Sequence, residues 1–355
     1  TALEFTASAG GTGGGIKNLI INGNFDIWQR GTVFSATSPG TYTADRFLWD
    51  DIGSGTVTVL RSTDTPDTFS KFSFRVDVVV ADAVIAAGAF YTFEQRIEGF
   101  NVQQFGFGAA GAAQLTLSFR VKSSKTGIHC VSFRNSAKDR SFIAEYTVDA
   151  VDTWEAKTIT LTADVTGTWL VENDIGLTVS WALAAGSTFQ TAADSWTAGN
   201  FLASSNQVNV MDNAANNFHV SRVQLEIDGT ATAFERRSIA LESDFAARYY
   251  EELGGDNTLE EFAVLQARTT GIANGAISFR RKRAVPTVSF SGASLFSLTD
   301  AAGATEATSA VTGAVPSKTR FRVEATKTTA DLVAGNATRL LTNSTVARIK
   351  IDAEL

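Results

Sequence analysis

The chain has one cysteine, one methionine, two histidines and four prolines in 355 residues. A single thiol, Cys130, excludes an intrachain disulfide. It lies in Gly127-Ile128-His129-Cys130-Val131-Ser132-Phe133, an apolar strand pattern, and reads as a buried structural thiol. His129 and His219 alone leave almost no room for a histidine-rich metal site or a Ser-His-Asp triad. Charged residues make up only 19%, and the formal net charge is −7. A general nucleic-acid or anionic-membrane binder needs a basic face, so neither partner is expected. The run Arg280-Arg281-Lys282-Arg283 reads as a solvated face. No apolar run reaches the roughly 18 residues of a membrane span; the longest, from Val78 to Phe90, is broken by Asp82.

What is abundant is hydrophobic and aromatic: 44% apolar residues, with 25 Phe against six Trp and five Tyr. That is ample material for a core, and the length allows two domains, or one large β-domain with a smaller one. Without disulfides the fold must be held by its core, by bound ions or by oligomerisation. Gly10-Gly11-Thr12-Gly13-Gly14-Gly15 marks residues 1–16 as a flexible Gly-rich linker, the expected tether to other proteins.

From Asn18 onward the pattern is β. Asn18 to Gly31 reads as a first strand, a tight turn and an aromatic anchor. Thr56-Val57-Thr58-Val59-Leu60, Phe72 to Val78, Leu115 to Lys122 and Phe218 to Ile227 alternate apolar and polar residues, as half-buried strands should. About ten such strands, spaced by turns, predict an all-β fold in which residues 17–237 form a large sandwich or barrel. Asn18–Gly31 and Val223–Arg237 are expected to clasp together as its first and last strands, with Phe25, Trp28 and Trp49 in the core. Leu241, Phe245, Tyr249 and Leu253 then recur every four residues before Gly254-Gly255. This predicts a linking helix of roughly twelve residues within 238–255. Arg236 and Arg237 are expected to pair with Glu242 or Asp244. Residues 256–355 return to strand alternation as a small C-terminal β-domain.

Three groups of residues carry a resemblance. Asn18-Leu19-Ile20-Ile21-Asn22-Gly23-Asn24-Phe25-Asp26-Ile27-Trp28-Gln29-Arg30-Gly31 with Tyr42-Thr43-Ala44-Asp45-Arg46-Phe47 is the first. Val223-Gln224-Leu225-Glu226, Ala231 to Arg237 and Ala247-Arg248-Tyr249-Tyr250-Glu251 form the second. Ala284 to Val288 and the terminal Asp352-Ala353-Glu354-Leu355 form the third. Together they resemble a family of bacteriophage tail-fibre and virion-surface proteins. The resemblance implies a jelly-roll β-sandwich like those of carbohydrate-binding modules, followed by a small C-terminal β-sandwich. It also implies a homotrimeric fibre or spike on the virion, at head or tail, joined to other virion proteins through its N-terminal region and touching host-surface glycan.

Two sites follow as expectations. Jelly-roll carbohydrate-binding modules often hold a structural Ca²⁺ between first and last strands, and Asn22, Asn24, Asp26 and Glu226 supply oxygens beside the clasp. The alternative is that Asn22-Gly23-Asn24 is a turn whose side chains bond their own backbone. Sugar binding uses aromatic platforms with polar groups beside them. Trp196, in a loop-like composition between Asp194 and Asn200, is the best candidate, and Trp169 the next; Trp181 ends an apolar strand and is assigned to the core. No catalytic motif appears among the 37 acidic residues, so the protein is expected not to be an enzyme. The alternatives are a purely architectural fibre or decoration and a polysaccharide-degrading spike, although the regular short repeats of a β-helix are absent.

Overall fold

The computed structural model describes residues 16–299 and 302–355; the Gly-rich stretch over residues 1–15 lies outside them. Period-two alternation becomes strand along most of the chain up to Ile227. The strands are β1 (Val33–Phe34), β2 (Thr41–Tyr42), β3 (Phe47–Ile52), β4 (Thr56–Ser62), β5 (Ser73–Val80), β6 (Phe90–Glu98), β7 (Leu115–Ser123), β8 (Gly127–Arg134), β9 (Arg140–Val148), β10 (Glu155–Leu161), β11 (Ile175–Ala185), β12 (Trp196–Ala198) and β13 (Asn217–Ile227). They form two antiparallel layers, ordered β1-β4-β5-β13-β7-β10 and β12-β9-β8-β11-β6-β3-β2. This is the expected jelly-roll β-sandwich. One helical turn, α1 (Gly99–Val102), follows β6.

An aromatic core holds the layers together. Phe25, Phe47, Trp49, Phe74, Phe93 and Trp181 are all buried. Ring centroids lie 4.6 Å apart for Phe25–Phe47 and 4.7 Å for Phe74–Phe93, and Phe93 stacks on Trp181 at 5.2 Å. Ring pairs at such spacings add about 0.5–1.5 kcal/mol each beyond their burial. Trp28, also buried, stacks on Phe74. Cys130 is buried under the loop that returns through Leu202 and Ala203 on the outer face of the seven-stranded sheet.

The opening stretch is not the strand its alternation suggested. Residues 20–24 form a turn, and Asn22 and Phe25 adopt left-handed φ values of 61° and 56°. The reason lies in β13, whose register slips between Ser221 and Gln224, where Arg222 has φ 53°. β5 pairs with β13 only over Asn217–Val220, so beyond the slip one edge of β13 is open. The opening segment fills it. Leu19 N donates to Leu225 O (2.9 Å) and Val223 N to Gly23 O (2.8 Å). The Asn18 side chain donates to Val223 O (2.9 Å) and accepts from Leu225 N (3.1 Å). Residue 23 must be glycine, because a Cβ there would lie 2.1 Å from Val223 O. The clasp exists, but as an irregular insert rather than a ladder.

Ser238 caps α2 (Ile239–Ala247), its Oγ accepting from Leu241 N at 3.3 Å. The helix stops nine residues in, short of the expected Leu253, because the next residues are claimed by a sheet. β14 (Tyr250–Leu253), β15 (Glu261–Ala267), β16 (Ile272–Ser278), β17 (Thr287–Phe290), β18 (Phe296–Thr299), β19 (Thr305–Ala314), β20 (Arg320–Lys327), β21 (Ala337–Thr342) and β22 (Ile349–Asp352) complete the chain. β14 pairs with β22 in a three-stranded sheet, β14-β22-β17. The small C-terminal β-unit is present; its other six strands close into a barrel, β15-β16-β20-β19-β18-β21, around Leu265, Phe296, Leu298, Phe321 and Val323. The run Arg280–Arg283 is corrected in part. Lys282 is fully buried, its Nζ bonded to Glu251 Oε2 (2.9 Å) and to Ala247 O at the C-terminus of α2, where a cation satisfies a carbonyl that the helix leaves over.

Candidate functional site

The oxygens proposed for a metal are engaged elsewhere. Asn22 is buried; its Nδ2 donates to Ile27 O (2.8 Å) and Asp45 O (3.1 Å), and its Oδ1 accepts from Ile27 N (2.9 Å). Asn24 accepts from Ser70 Oγ (2.9 Å) and donates to Asp26 Oδ2 (3.0 Å). Glu226 accepts from Thr232 N and Thr232 Oγ1, both at 2.8 Å, and from Gln224 Nε2 at 3.1 Å. The cleft beside Asn24 and Asp26 is lined by Arg236 and Arg237. Arg237 Nε lies 2.7 Å from Glu242 Oε2, the expected pairing, and its Nη1 donates to Asn18 O at 3.1 Å. Arg236 lies 3.9 Å from Asp26. Two guanidiniums facing the cleft do not fit a Ca²⁺ cage, which wants about six to eight oxygens. Among the described residues, no group of three or more His, Cys, Asp and Glu could hold a metal. Asn22-Gly23-Asn24 is a turn closed by Phe25 N donating to Asn22 O (2.8 Å), and Arg237 holds the residues just before it through Asn18 O and Ile20 O.

The aromatic candidates do meet. Trp196 belongs not to a loop but to β12, an edge strand on which it sits opposite Phe142 of β9. Its ring meets Trp169 edge-to-face at 5.3 Å, Phe107 at 5.7 Å and Phe142 at 5.5 Å. Trp169 is 9% exposed, and its Nε1 is held by Asp164 Oδ2 and Thr166 O, both 3.2 Å away. Trp196 donates to Thr162 O (2.8 Å) and stays half-buried. The group plugs an edge of the sandwich, with Trp196 and Phe107 part-buried against the core. Asp194 is exposed at a left-handed turn (φ 64°), its N donating to Ile143 O. Asn200 goes elsewhere: its Oδ1 accepts from Arg134 Nη1 (2.9 Å). Strand alternation explains the split. Phe142 and its partner Trp196 turn toward the core, whereas Arg134 pairs with Ser141, one residue along and on the opposite face.

That opposite face carries a polar lattice. Glu94, Ser180 and Ser132 form one cross-strand row over β6, β11 and β8; Arg96, Thr178 and Arg134 form the next. Arg134 Nη2 donates to Glu94 Oε2 (2.6 Å) and Ser180 Oγ (2.9 Å), Arg96 Nε to Glu94 Oε1 (2.9 Å), and Ser180 Oγ to Glu94 Oε2 (2.8 Å). Burial pushes the Glu94 carboxyl up, but the Arg134 and Arg96 charges outweigh it and hold it below its ordinary value. Asp50 is raised, by burial first and then by the charge on Glu94. With both oxygens of Glu94 committed to three donors, it is a charge anchor rather than a free base or nucleophile. Ser132 Oγ and Arg134 Nε are buried without a partner. Sequence reasoning missed this lattice because its members lie far apart in the chain. The signal was Glu94 and Arg96 alternating with Phe93 and Ile97 in a strand that opens on Phe90 and Tyr91.

Near the same edge is an open cleft of about 600 Å³, lined by Glu145, Gln190, Thr191, Ser204 and Asn206 among others. Its wall at Ala192 and Ala193 runs directly into Asp194 and Trp196.

No protein-family model matches the sequence, and no curated protein matches it. Solved structures similar to the chain include the enzymatically active domain of tailspike protein 4 of bacteriophage CBA120, at TM-score 0.33 and 13% identity over 59% of this chain and 21% of that one. An arabinose-bound α-L-arabinofuranosidase is similar at TM-score 0.34 and 10% identity, over 61% of this chain and 27% of that one. The family 11 carbohydrate-binding module of a Clostridium thermocellum cellulosomal cellulase is similar at TM-score 0.29 and 10% identity, over 56% of this chain and 95% of that one. The chain thus spans roughly a fifth and a quarter of the first two proteins. Scores of this size bear on neither ligand nor activity, and the jelly-roll assignment rests on the strand order itself.

Proposed function

We propose that this chain is a surface fibre or spike protein of a phage particle, probing host-surface glycan through reversible, non-catalytic contacts of its sandwich. The observation that carries the glycan reading is Trp196. It is a part-buried residue at the edge of the sandwich, its ring fixed by Trp169, Phe107 and Phe142, next in sequence to a polar cleft. A ring held in place by its neighbours loses little freedom when a sugar stacks on it. The non-catalytic reading is supported by the commitment of Glu94 to Arg134, Arg96 and Ser180. The virion setting is supported by the sequence resemblance, whose residues build the clasp. A homotrimer would add weak single contacts into useful avidity. The test is an array of host-surface oligosaccharides. Retention on at least one sugar is expected; retention on none would favour the architectural reading, and shortened polysaccharide chains after incubation would establish a degrading spike instead.

A further inference from the structure

The acidic stretch Asp352-Ala353-Glu354-Leu355 leaves β22 and crosses onto the sandwich. Arg30 Nη2 lies 3.4 Å from Asp352 Oδ2 and 3.2 Å from Glu354 Oε1, and Arg46 pairs with the other oxygen of Glu354. Tyr42 OH and Arg96 Nη1 each donate to Leu355 O at 2.8 Å. Arg283 donates from Nε to Ala353 O (2.6 Å) and from Nη2 to Glu354 O, while its Nη1 reaches Asn173 O (2.8 Å) in the sandwich. Leu355 packs against the small cluster of Ile21, Ile27, Ala246 and Tyr249.

Two features separate this arrangement from an incidental surface contact. The Glu354 and Arg46 side chains are 5% and 1% exposed, and charges so buried are costly unless each has its partner. Arg46 also adopts φ 73°, a left-handed conformation that non-glycine residues seldom hold without reason. That backbone turn aims its guanidinium over the Tyr249 ring at 3.6 Å, and Arg30 lies over Tyr250 at 3.3 Å. The contributing residues come from separate stretches around Arg30, Arg46, Tyr249 and Glu354. These are the stretches that stood out in the sequence, and the clasp alone does not account for all of them.

We propose that the surface built by Arg30, Tyr42, Arg46, Arg96 and Tyr249 is a receptor for an acidic peptide. Its occupant is residues 352–355 of the same chain, and occupancy latches the barrel to the sandwich so that the two unfold as one. This stands apart from the glycan reading. The test compares the full chain with one lacking residues 353–355, using a labelled peptide of residues 349–355 and scanning calorimetry. The shortened chain is expected to bind the peptide at least tenfold more tightly than the full chain, whose receptor is filled, and to lose that binding at least tenfold on Arg96→Ala. It is also expected to unfold in two transitions where the full chain shows one. Equal peptide binding by the two chains, or one transition at an unchanged temperature in the shortened chain, would overturn the proposal. If the shortened chain does not fold, Glu354→Gln in the full chain keeps the volume and removes the charge facing Arg30 and Arg46. It is expected to admit the peptide, and exclusion equal to that of the unsubstituted chain would overturn the latch.

Discussion

The sandwich and the barrel bury charge to different extents. The sandwich sets Glu94 and Arg134 side by side on the middle of a sheet, with side chains 1% and 4% exposed. Barrel pairs such as Arg268–Glu324 and Arg339–Glu261 leave every partner at least a third exposed. The cores differ too. The sandwich interior sets many rings, mostly tilted or edge-to-face, among Val, Leu and Ile, and the barrel interior mixes a few phenylalanines with Leu, Val, Ile and Ala. A buried pair adds little net stability over an apolar pair of the same shape, yet removing one member strands the other. Charge kept under those terms is retained for position. The barrel also buries Lys327, its side chain 1% exposed beside Asp331 (2.6 Å) and Glu306 (3.6 Å), so what sets the sandwich apart is the cross-strand extent of its Glu94, Arg96 and Arg134 network.

The largest expected effect comes from stranding a charge. Arg134→Ala leaves Glu94 buried with Arg96 alone and should destabilise the sandwich by about 3–5 kcal/mol, read as a fall in the urea midpoint. Phe93→Ala, which unstacks Trp181 and opens the core, should cost a similar 3–5 kcal/mol or so. An Arg134→Ala chain with an unshifted midpoint would erase the contrast.

A pH titration sharpens the same comparison, because both histidines lie in the sandwich. Burial pushes His129 and His219 down from 6.5 to about 4. His129 faces Lys157 and Glu155, with Nε2 2.9 Å from Lys125 O; His219 faces Arg75, Asp64 and Lys122. A base whose folded pKa is depressed binds its proton more weakly folded than unfolded. Stability from this source is therefore complete above about pH 6.5 and falls as pH drops toward 4, by up to roughly 3 kcal/mol per histidine. His219→Gln should remove about half of that slope, and an unchanged slope would contradict the assignment. The smallest effect belongs to the barrel surface, where Arg268→Ala should change stability by about 1 kcal/mol or less.

How much of this was legible in the sequence depended on who owns each residue's partners. β7 and β13 were plain from alternation, because one face of each is buried. β19 was missed: Thr305–Ala314 is Thr, Ala, Ser, Gly and one Glu around a single Val, too small and polar to signal a buried face. The opening segment alternated as a strand does, yet became an insert because of a bulge in β13 two hundred residues later. Oxygen-rich Asn22, Asn24, Asp26 and Glu226 suggested a cation, but composition does not reveal which backbone groups and guanidiniums already use those oxygens. Trp196 and Trp169 do meet ring to ring, and Asn200 was lost to them because a strand turns successive side chains to opposite faces. Arg46 and Glu354 stood out as sequence without a physical reason, which the junction supplies.

The most direct measurement is calorimetric titration of an array-positive glycan into the native chain, Trp196→Ala and Arg322→Ala. Trp196 lies at the sandwich edge, and Arg322 is exposed on the barrel. If the sandwich carries the recognition, Trp196→Ala loses about tenfold or more in affinity, some 1.4 kcal/mol, and Arg322→Ala binds as the native chain does. Equal binding by all three, or loss only in Arg322→Ala, would contradict it.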